Sequence, residues 1–268
     1  MTEFKGPVDI DYLKKAGEIF ASIKQISYKK MQVKQNDTVL DLGCGPGIDA
    51  IELGKLVSPN GCVIGVDYDE AMLKKASEQV EILKMNRIIR FQQENACALT
   101  FPDNYFSSCR SERLFMHLSN PKQVLTEMFR VTKPEGNVVV IDTDWASLSI
   151  DCHSVKTEKL LLNYRLEKFF ANGYSGRSLY RLFNNARFND IQIDIFPLYT
   201  NDLKLFYALS IQETIENKAL ADNIITQKEL DQWRMELRQA ALDNAFYCSV
   251  NIVMIHGVKP RVICKSGV

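Results

Sequence analysis

Along the chain, short apolar runs alternate with segments whose apolar residues recur every three or four positions. Val39, Leu40 and Leu42 form the first run, and Ile48, Ile51, Leu53 and Leu56 follow at helical spacing. Between them stand Gly43, Gly45 and Gly47, so residues 38–56 predict a strand, a tight glycine turn and a helix. Residues 61–67 repeat the apolar run as a second buried strand, and 70–83 repeat the helical stripe through Leu73, Ala76, Val80 and Leu83. Further strands are predicted at 88–92, 106–111 and 137–142, with a helix at 121–131 and a turn at 130–136 ahead of the fifth strand. Strands alternating with helices predict an α/β fold, and the 26 residues from Asp41 to Asp67 are enough for a helix and a return crossover that sets the first two strands side by side.

On either side of this alternation the pattern changes. Residues 8–31 predict a leading helix, with Ile10, Leu13, Ile19, Phe20, Ile23 and Ile26 as its apolar stripe and Tyr12 and Tyr28 along it. From Ser147 onward helices dominate: 154–170, 177–186, 203–220 and 226–243, the last opened by a capping box of Thr226 and Glu229. A flexible small-residue turn is predicted at 172–176, and strands at 191–196 and 246–256 close the chain. The expected organisation is a cap helix in 1–35, a ligand-binding core in 36–146, helical insertions and closing strands of the same domain in 147–258, and a loose tail in 259–268. No internal repeat or low-complexity tract is visible.

Composition narrows the function. A hydrophobic content of 46% over 268 residues supports a sizeable core. Lys+Arg 33 against Asp+Glu 33 leaves a formal net charge of +0, so no global field attracts a polyanion and nucleic acid is not an expected partner. Seven cysteines without CxxC spacing read as reduced thiols of a cytoplasmic protein. His117, His153 and His256 lie far apart, which gives no zinc-ligand spacing. Neither a signal-type start nor an apolar run of membrane-span length is expected.

The glycine turn carries the candidate chemistry. A dinucleotide pyrophosphate would call for a third glycine after a two-residue gap, where Ile48 stands. Asp41, two residues before Gly43, would also repel phosphates. A ligand bearing a sulfonium and an ammonium suits that acid better, and S-adenosylmethionine is such a ligand. An NAD-dependent oxidoreductase stays as the alternative that these two residues disfavour.

VLDLGCGPG resembles the first motif of the seven-strand, Rossmann-like S-adenosylmethionine-dependent methyltransferases. The resemblance implies a mostly parallel seven-stranded sheet of order 3-2-1-4-5-7-6, with the last strand antiparallel, flanked by helices and carrying helical lid insertions. It implies a cofactor cradle of Asp41, Gly43, Cys44 and Gly45, with Asp67 gripping the ribose hydroxyls and Tyr68 and Met72 flanking the adenine. Asn95 stands where the family often has an acid holding the adenine amine, with Ala96 beside it, and Ser111 sits at the tip of the fourth strand. RVTKPEG resembles the family's RVLKPGG, with Glu135 in place of a glycine. Together with SERLFMHL it is most similar to the ubiquinone/menaquinone-biosynthesis type, which act on small molecules.

Other motifs of the class are missing. The fourth-strand tip lacks the Asn/Asp-Pro-Pro-aromatic sequence of nucleic-acid amino methyltransferases, and no Pro-Cys pair provides a cytosine nucleophile. Asp142 and Asp144 resemble half of a catechol-type metal site, but Ser111 replaces the further acid, so no metal is expected. Catalytic candidates are His117 as a general base, with Asp144 as an acid and Arg113 as an anion clamp. The aromatics Phe169, Phe170, Tyr174, Tyr180, Phe206 and Tyr207 would line the lid. A non-catalytic S-adenosylmethionine-binding module that acts through partners is the second reading.

Overall fold

The structure is a computed structural model and describes residues 20–261. Its strands are β1 (Thr38–Leu42), β2 (Cys62–Asp67), β3 (Ile89–Gln93), β4 (Phe106–Glu112), β5 (Thr132–Ile150), β6 (Asn189–Thr200) and β7 (Cys248–Val258). Its helices are α1 (Ala21–Met31), α2 (Ile48–Val57), α3 (Glu70–Ile82), α4 (Pro121–Val131), α5 (Val155–Lys168), α6 (Ser175–Asn185), α7 (Leu203–Ser210), α8 (Gln212–Ala221) and α9 (Gln227–Leu242). The strands form one seven-stranded sheet in the order β3-β2-β1-β4-β5-β7-β6. β1 to β5 pair in parallel, and β7 runs antiparallel to both β5 and β6. This is the expected order and sense.

Side-chain alternation along each strand splits the interior into two layers. Leu40, Leu42, Val138 and Val140 pack with Leu125 and Met128 of α4 and with Leu179 and Phe183 of α6. On the other face, Val39, Val63, Val139 and Ile141 pack with Ile23 and Met31 of α1 and with Ala50 and Leu53 of α2. A third cluster, of Trp145, Leu148, Ile150, Leu161, Phe206, Trp233 and Phe246 among others, forms the core of the helical unit built from α5, α7, α8 and α9.

Several boundaries differ from those the pattern predicts. The fifth strand runs on from Asp142 to Ile150, with a shift in its β7 register between Asp144 and Ser149 that turns its far end into the helical unit. At its start Glu135 adopts φ +65, the conformation the expected glycine would have supplied, while Gly136 closes to where a Cβ would lie 2.6 Å from the Ser107 carbonyl oxygen. The helix expected at 203–220 breaks at Ile211, which is left-handed at φ 49. Arg165 stabilises the break: Nη1 donates to the Ser210 carbonyl and Nη2 to Gln212 Oε1, each at 2.5 Å. Ser175 and Gly176 belong to the first turn of α6 rather than to a flexible turn. The leading helix is described from Ala21, and Tyr12 lies outside the described residues.

Candidate functional site

The site is built where β1 ends. Gly43, Gly45 and Gly47 all have positive φ, at 76, 51 and 79, values that side chains other than glycine's rarely adopt. Two of them also meet close neighbours: a Cβ on Gly47 would lie 2.8 Å from Phe91 Cζ, and one on Gly43 would lie 3.1 Å from Leu114 Cβ. Gly45 differs, because a Cβ there would meet nothing within 4 Å. The tight turn thus leaves open space over its middle residue, beside which the backbone can approach a ligand. The Gly43 and Cys44 N–H groups both donate to the Val66 carbonyl, at 2.7 and 3.0 Å, and fasten the turn to β2. Cys44 is buried, and desolvation raises its thiol pKa, so it is a packed thiol rather than a nucleophile.

Asp67 ends β2 directly beside this turn. Its Oδ2 accepts the Gly45 N–H at 2.8 Å and its Oδ1 the Asp69 N–H at 3.0 Å, so both oxygens are oriented while keeping lone pairs to spare. Tyr68 follows with 60% exposure, and Met72 lies in the first turn of α3, which Asp69 caps. Asn95 is exposed on the neighbouring loop, and its Oδ1 accepts the Cys97 N–H at 2.9 Å, an Asx turn that already uses one lone pair. Ala96 is half-buried against the core.

Beneath the turn lies a buried ion network. Asp41 does not present an open carboxylate to the crevice: it is 2% exposed and stands 3.7 Å from Arg110 Nη1, its register partner on β4. Asp49, in the first turn of α2, accepts Lys24 Nζ and Tyr28 OH, each at 2.5 Å, and lies 3.3 Å from Arg110 Nη2, which also pairs with Glu112. Burial and the neighbouring Asp49 charge push Asp41 up to about 7 against the pull of Arg110 and Lys24. Burial would raise Asp49 too, but Arg110 and Lys24 hold it at about 2. Asp41 Oδ2, Arg110 Nη1 and Ser111 Oγ are buried without hydrogen-bond partners at this end of the sheet. Sequence reasoning missed Lys24, Asp49, Arg110 and Glu112. The available signal was Arg110 inside the predicted strand and Glu112 two residues on, just past its predicted end at Ser111, a spacing that puts two charges on one face once the strand runs to Glu112.

Just beyond β4, residues 115–117 form a single 3-10 turn. Asp142 Oδ2 accepts the Met116 N–H at 2.8 Å, and Asn172 N–H donates to the Met116 carbonyl at 3.0 Å, so the turn is held from both sides. Burial pushes Asp142 up to about 7, against the N–H groups of Thr143 and Met116 and the Arg113 cation. His117 is open to solvent on one side, and its ring packs at 5.9 Å from Phe170. Crowding around the imidazole and then the Arg113 charge lower its pKa. Arg113 holds φ 54, lies 3.7 Å from Glu112 Oε1 and stacks over Phe20 at 5.5 Å. Trp145 stacks on Phe170 at 5.5 Å, donates to Met116 Sδ at 3.3 Å and lies under the Arg165 guanidinium at 4.9 Å.

Asp144 is buried, and Arg177 takes up its carboxylate: Nε lies 3.0 Å from each oxygen and Nη2 3.0 Å from Oδ2. Of the aromatics expected in a lid, Phe169 and Phe206 are core residues, Tyr207 donates to buried Glu216, and Tyr174 and Tyr180 are each 50% exposed. Among the described residues, no group of three or more His, Cys, Asp or Glu side chains could hold a metal ion. No described helix is long and apolar enough to cross a membrane.

A family profile described as a methyltransferase domain matches residues 33–187, from the end of α1 to just beyond α6. A demethylmenaquinone methyltransferase of Lactobacillus johnsonii is 35% identical over 116 residues, covering 43% of this chain and 48% of that one. The chain spans about half the length of the curated relatives it matches. Among solved structures, the YcgJ protein from Bacillus subtilis superposes with a TM-score of 0.64 at 19% identity, covering 91% of this chain and 99% of that one. Phosphoethanolamine N-methyltransferase 2 of Haemonchus contortus, solved with phosphomonomethylethanolamine and S-adenosylhomocysteine, superposes with a TM-score of 0.60 at 18% identity, covering 97% and 60%.

Proposed function

Because the chain belongs to the methyltransferase-domain family, we propose that it uses S-adenosylmethionine to transfer a methyl group to a small molecule held between the sheet end and the helical unit. The observation that carries this reading is the open space over Gly45 beside a carboxylate whose orientation two backbone N–H groups set. A ribose placed there gives its hydroxyls to Asp67, with Tyr68 and Met72 against the adenine and Asn95 and Ala96 at its edge. The orphaned Ser111 Oγ and Asp41 Oδ2 at the same strand ends fit the polar end of the cofactor, Asp41 from beneath the turn together with Gly43 and Cys44.

When bound, the cofactor supplies an electrophilic methyl on a sulfonium. The protein's part is to align an acceptor with it and to keep water out. Asp142 and Asn172 fix the 3-10 turn at Met116, which supports the adjacent His117 as the base at the edge of the crevice. A lowered pKa leaves that imidazole neutral at physiological pH and able to take a proton from an acceptor hydroxyl or ammonium. Asp144 has no free oxygen edge for this purpose, since Arg177 occupies it. The stacked rings of Trp145 and Phe170 support a reading in which the helical unit is the lid over the acceptor.

The test is release of S-adenosylhomocysteine in the presence of a panel of small-molecule acceptors that includes demethylmenaquinone, reduced. We expect turnover with at least one acceptor, and His117→Ala to lower kcat by about 10²–10⁴-fold while S-adenosylmethionine affinity stays unchanged. Cofactor binding with no product from any acceptor favours the non-catalytic module instead.

A further inference from the structure

Arg177 pairs with a buried carboxylate and still presents part of its guanidinium to solvent. Its anchor is Asp144, 6% exposed, whose two oxygens both face the guanidinium. The pairing uses Nε and the near proton of Nη2, the side edge of the fork. The end edge, made by Nη1 and the outer proton of Nη2, is left for another partner, and the side chain as a whole is 51% exposed. Tyr174 packs over the guanidinium carbon at 5.5 Å and restricts it further. The entropy of ordering a long side chain is therefore already spent before any ligand arrives.

The position is as informative as the geometry. Ser175 Oγ donates to the Thr143 carbonyl at 3.2 Å, and Asn172 bonds the Phe115 and Met116 carbonyls, so residues 172–177 are fixed to both β5 and the His117 turn. A Cβ on Gly176 would lie 2.9 Å from Asp144 Cβ, which brings the start of α6 hard against β5 where its register with β7 shifts. Arg177 thus stands at the same sheet end as His117, with the uncapped first turn of α6 adding a small positive potential.

We propose that Arg177, anchored by Asp144 and flanked by Tyr174, binds a carboxylate or phosphate carried by the methyl acceptor. This rests on the methyltransferase reading and names the class of acceptor. Asp144 is then a positioning residue, and Arg177 determines specificity. The fork geometry suits either anion in bidentate fashion, whereas a neutral amide gains much less from it.

The experiment titrates protein saturated with S-adenosylhomocysteine with benzoate, phenyl phosphate and benzamide, in wild type and in Arg177→Met, Arg177→Lys and Asp144→Asn. At least one of the two anions is expected to bind the wild type about tenfold or more tighter than benzamide, as a charge-assisted contact requires. Which anion wins separates a carboxylate from a phosphate acceptor. Arg177→Met should erase the margin with S-adenosylhomocysteine affinity unchanged, and Arg177→Lys and Asp144→Asn should each keep only part of it. Equal binding of all three probes, absence of anion binding, or a margin that survives in Arg177→Met would overturn the proposal. Wild-type protein that does not bind S-adenosylhomocysteine would overturn the cofactor reading first, and this one with it.

Discussion

Asp67 and Gly45 form the smallest unit that explains the site. The Gly45 N–H aims one carboxylate oxygen and Asp69 N–H the other, so the acid meets a ligand in a set orientation. Replacing Asp67 with Ala should weaken S-adenosylmethionine binding by about 1.5–3 kcal/mol, the usual worth of hydrogen bonds to a charged group. Calorimetry on the folded variant checks this, and an unchanged Kd would place the ribose elsewhere. Gly45→Ala separates conformational strain from ligand clash. The protein itself has room for the methyl, so destabilisation should be limited to about 1–2 kcal/mol from the left-handed backbone. Cofactor affinity should fall as well, because the methyl enters the space left for the ligand. Gly47→Ala should cost more stability, since its Cβ would strike Phe91. Urea unfolding of the two variants, compared with their cofactor titrations, distinguishes these effects.

The elements that position those residues were legible wherever local pattern and tertiary packing agree. β1, the glycine turn and α2 follow from apolar runs and the glycines alone, and α9 from its capping box, which is present with Thr226 Oγ1 accepting the Glu229 N–H at 3.2 Å. Thr226→Ala should accordingly lower stability by about 1 kcal/mol in chemical denaturation, and no change would show that packing alone sets the start of α9. Illegible elements are those decided by a distant partner. Nothing local breaks a helix at Ile211; the break is stabilised by Arg165, which reaches across from α5 to the Ser210 carbonyl. Nor does the sequence near Asp142 announce that β5 continues to Ile150, because the register shift against β7 is a property of the pair. The candidate site divides in the same way. Asp67 was visible at a strand end, but the pairing of Asp144 with Arg177 and of Asp41 with Arg110 joins residues that only the folded sheet brings together.

Across the whole molecule, buried acids give folding a defined pH dependence. Asp41 and Asp142 both have pKa values raised from 3.8 to about 7 by burial. Between those values the folded chain keeps protons that the unfolded chain has released, so these groups make stability fall as pH rises from about 4 to about 7 and level off above. Asp49, held at about 2, acts in the opposite sense and only below its ordinary range: its contribution is lost as pH falls towards 2. His117 and His256, with pKa values lowered by burial, act against the two acids below about pH 6.5, so the clean readout is the difference between wild type and Asp142→Asn: from pH 5 to 7.5 the urea midpoint of the wild type should fall relative to that of the variant. A slope unchanged in that variant would assign the dependence to other groups. Which ligand enters the crevice over Gly45 decides the function of the whole molecule, and calorimetric titration of the wild-type protein with S-adenosylmethionine and, separately, NAD tests this most directly. Saturable one-to-one binding of S-adenosylmethionine with no heat from NAD is the predicted result; saturable binding of NAD with none for S-adenosylmethionine would contradict it.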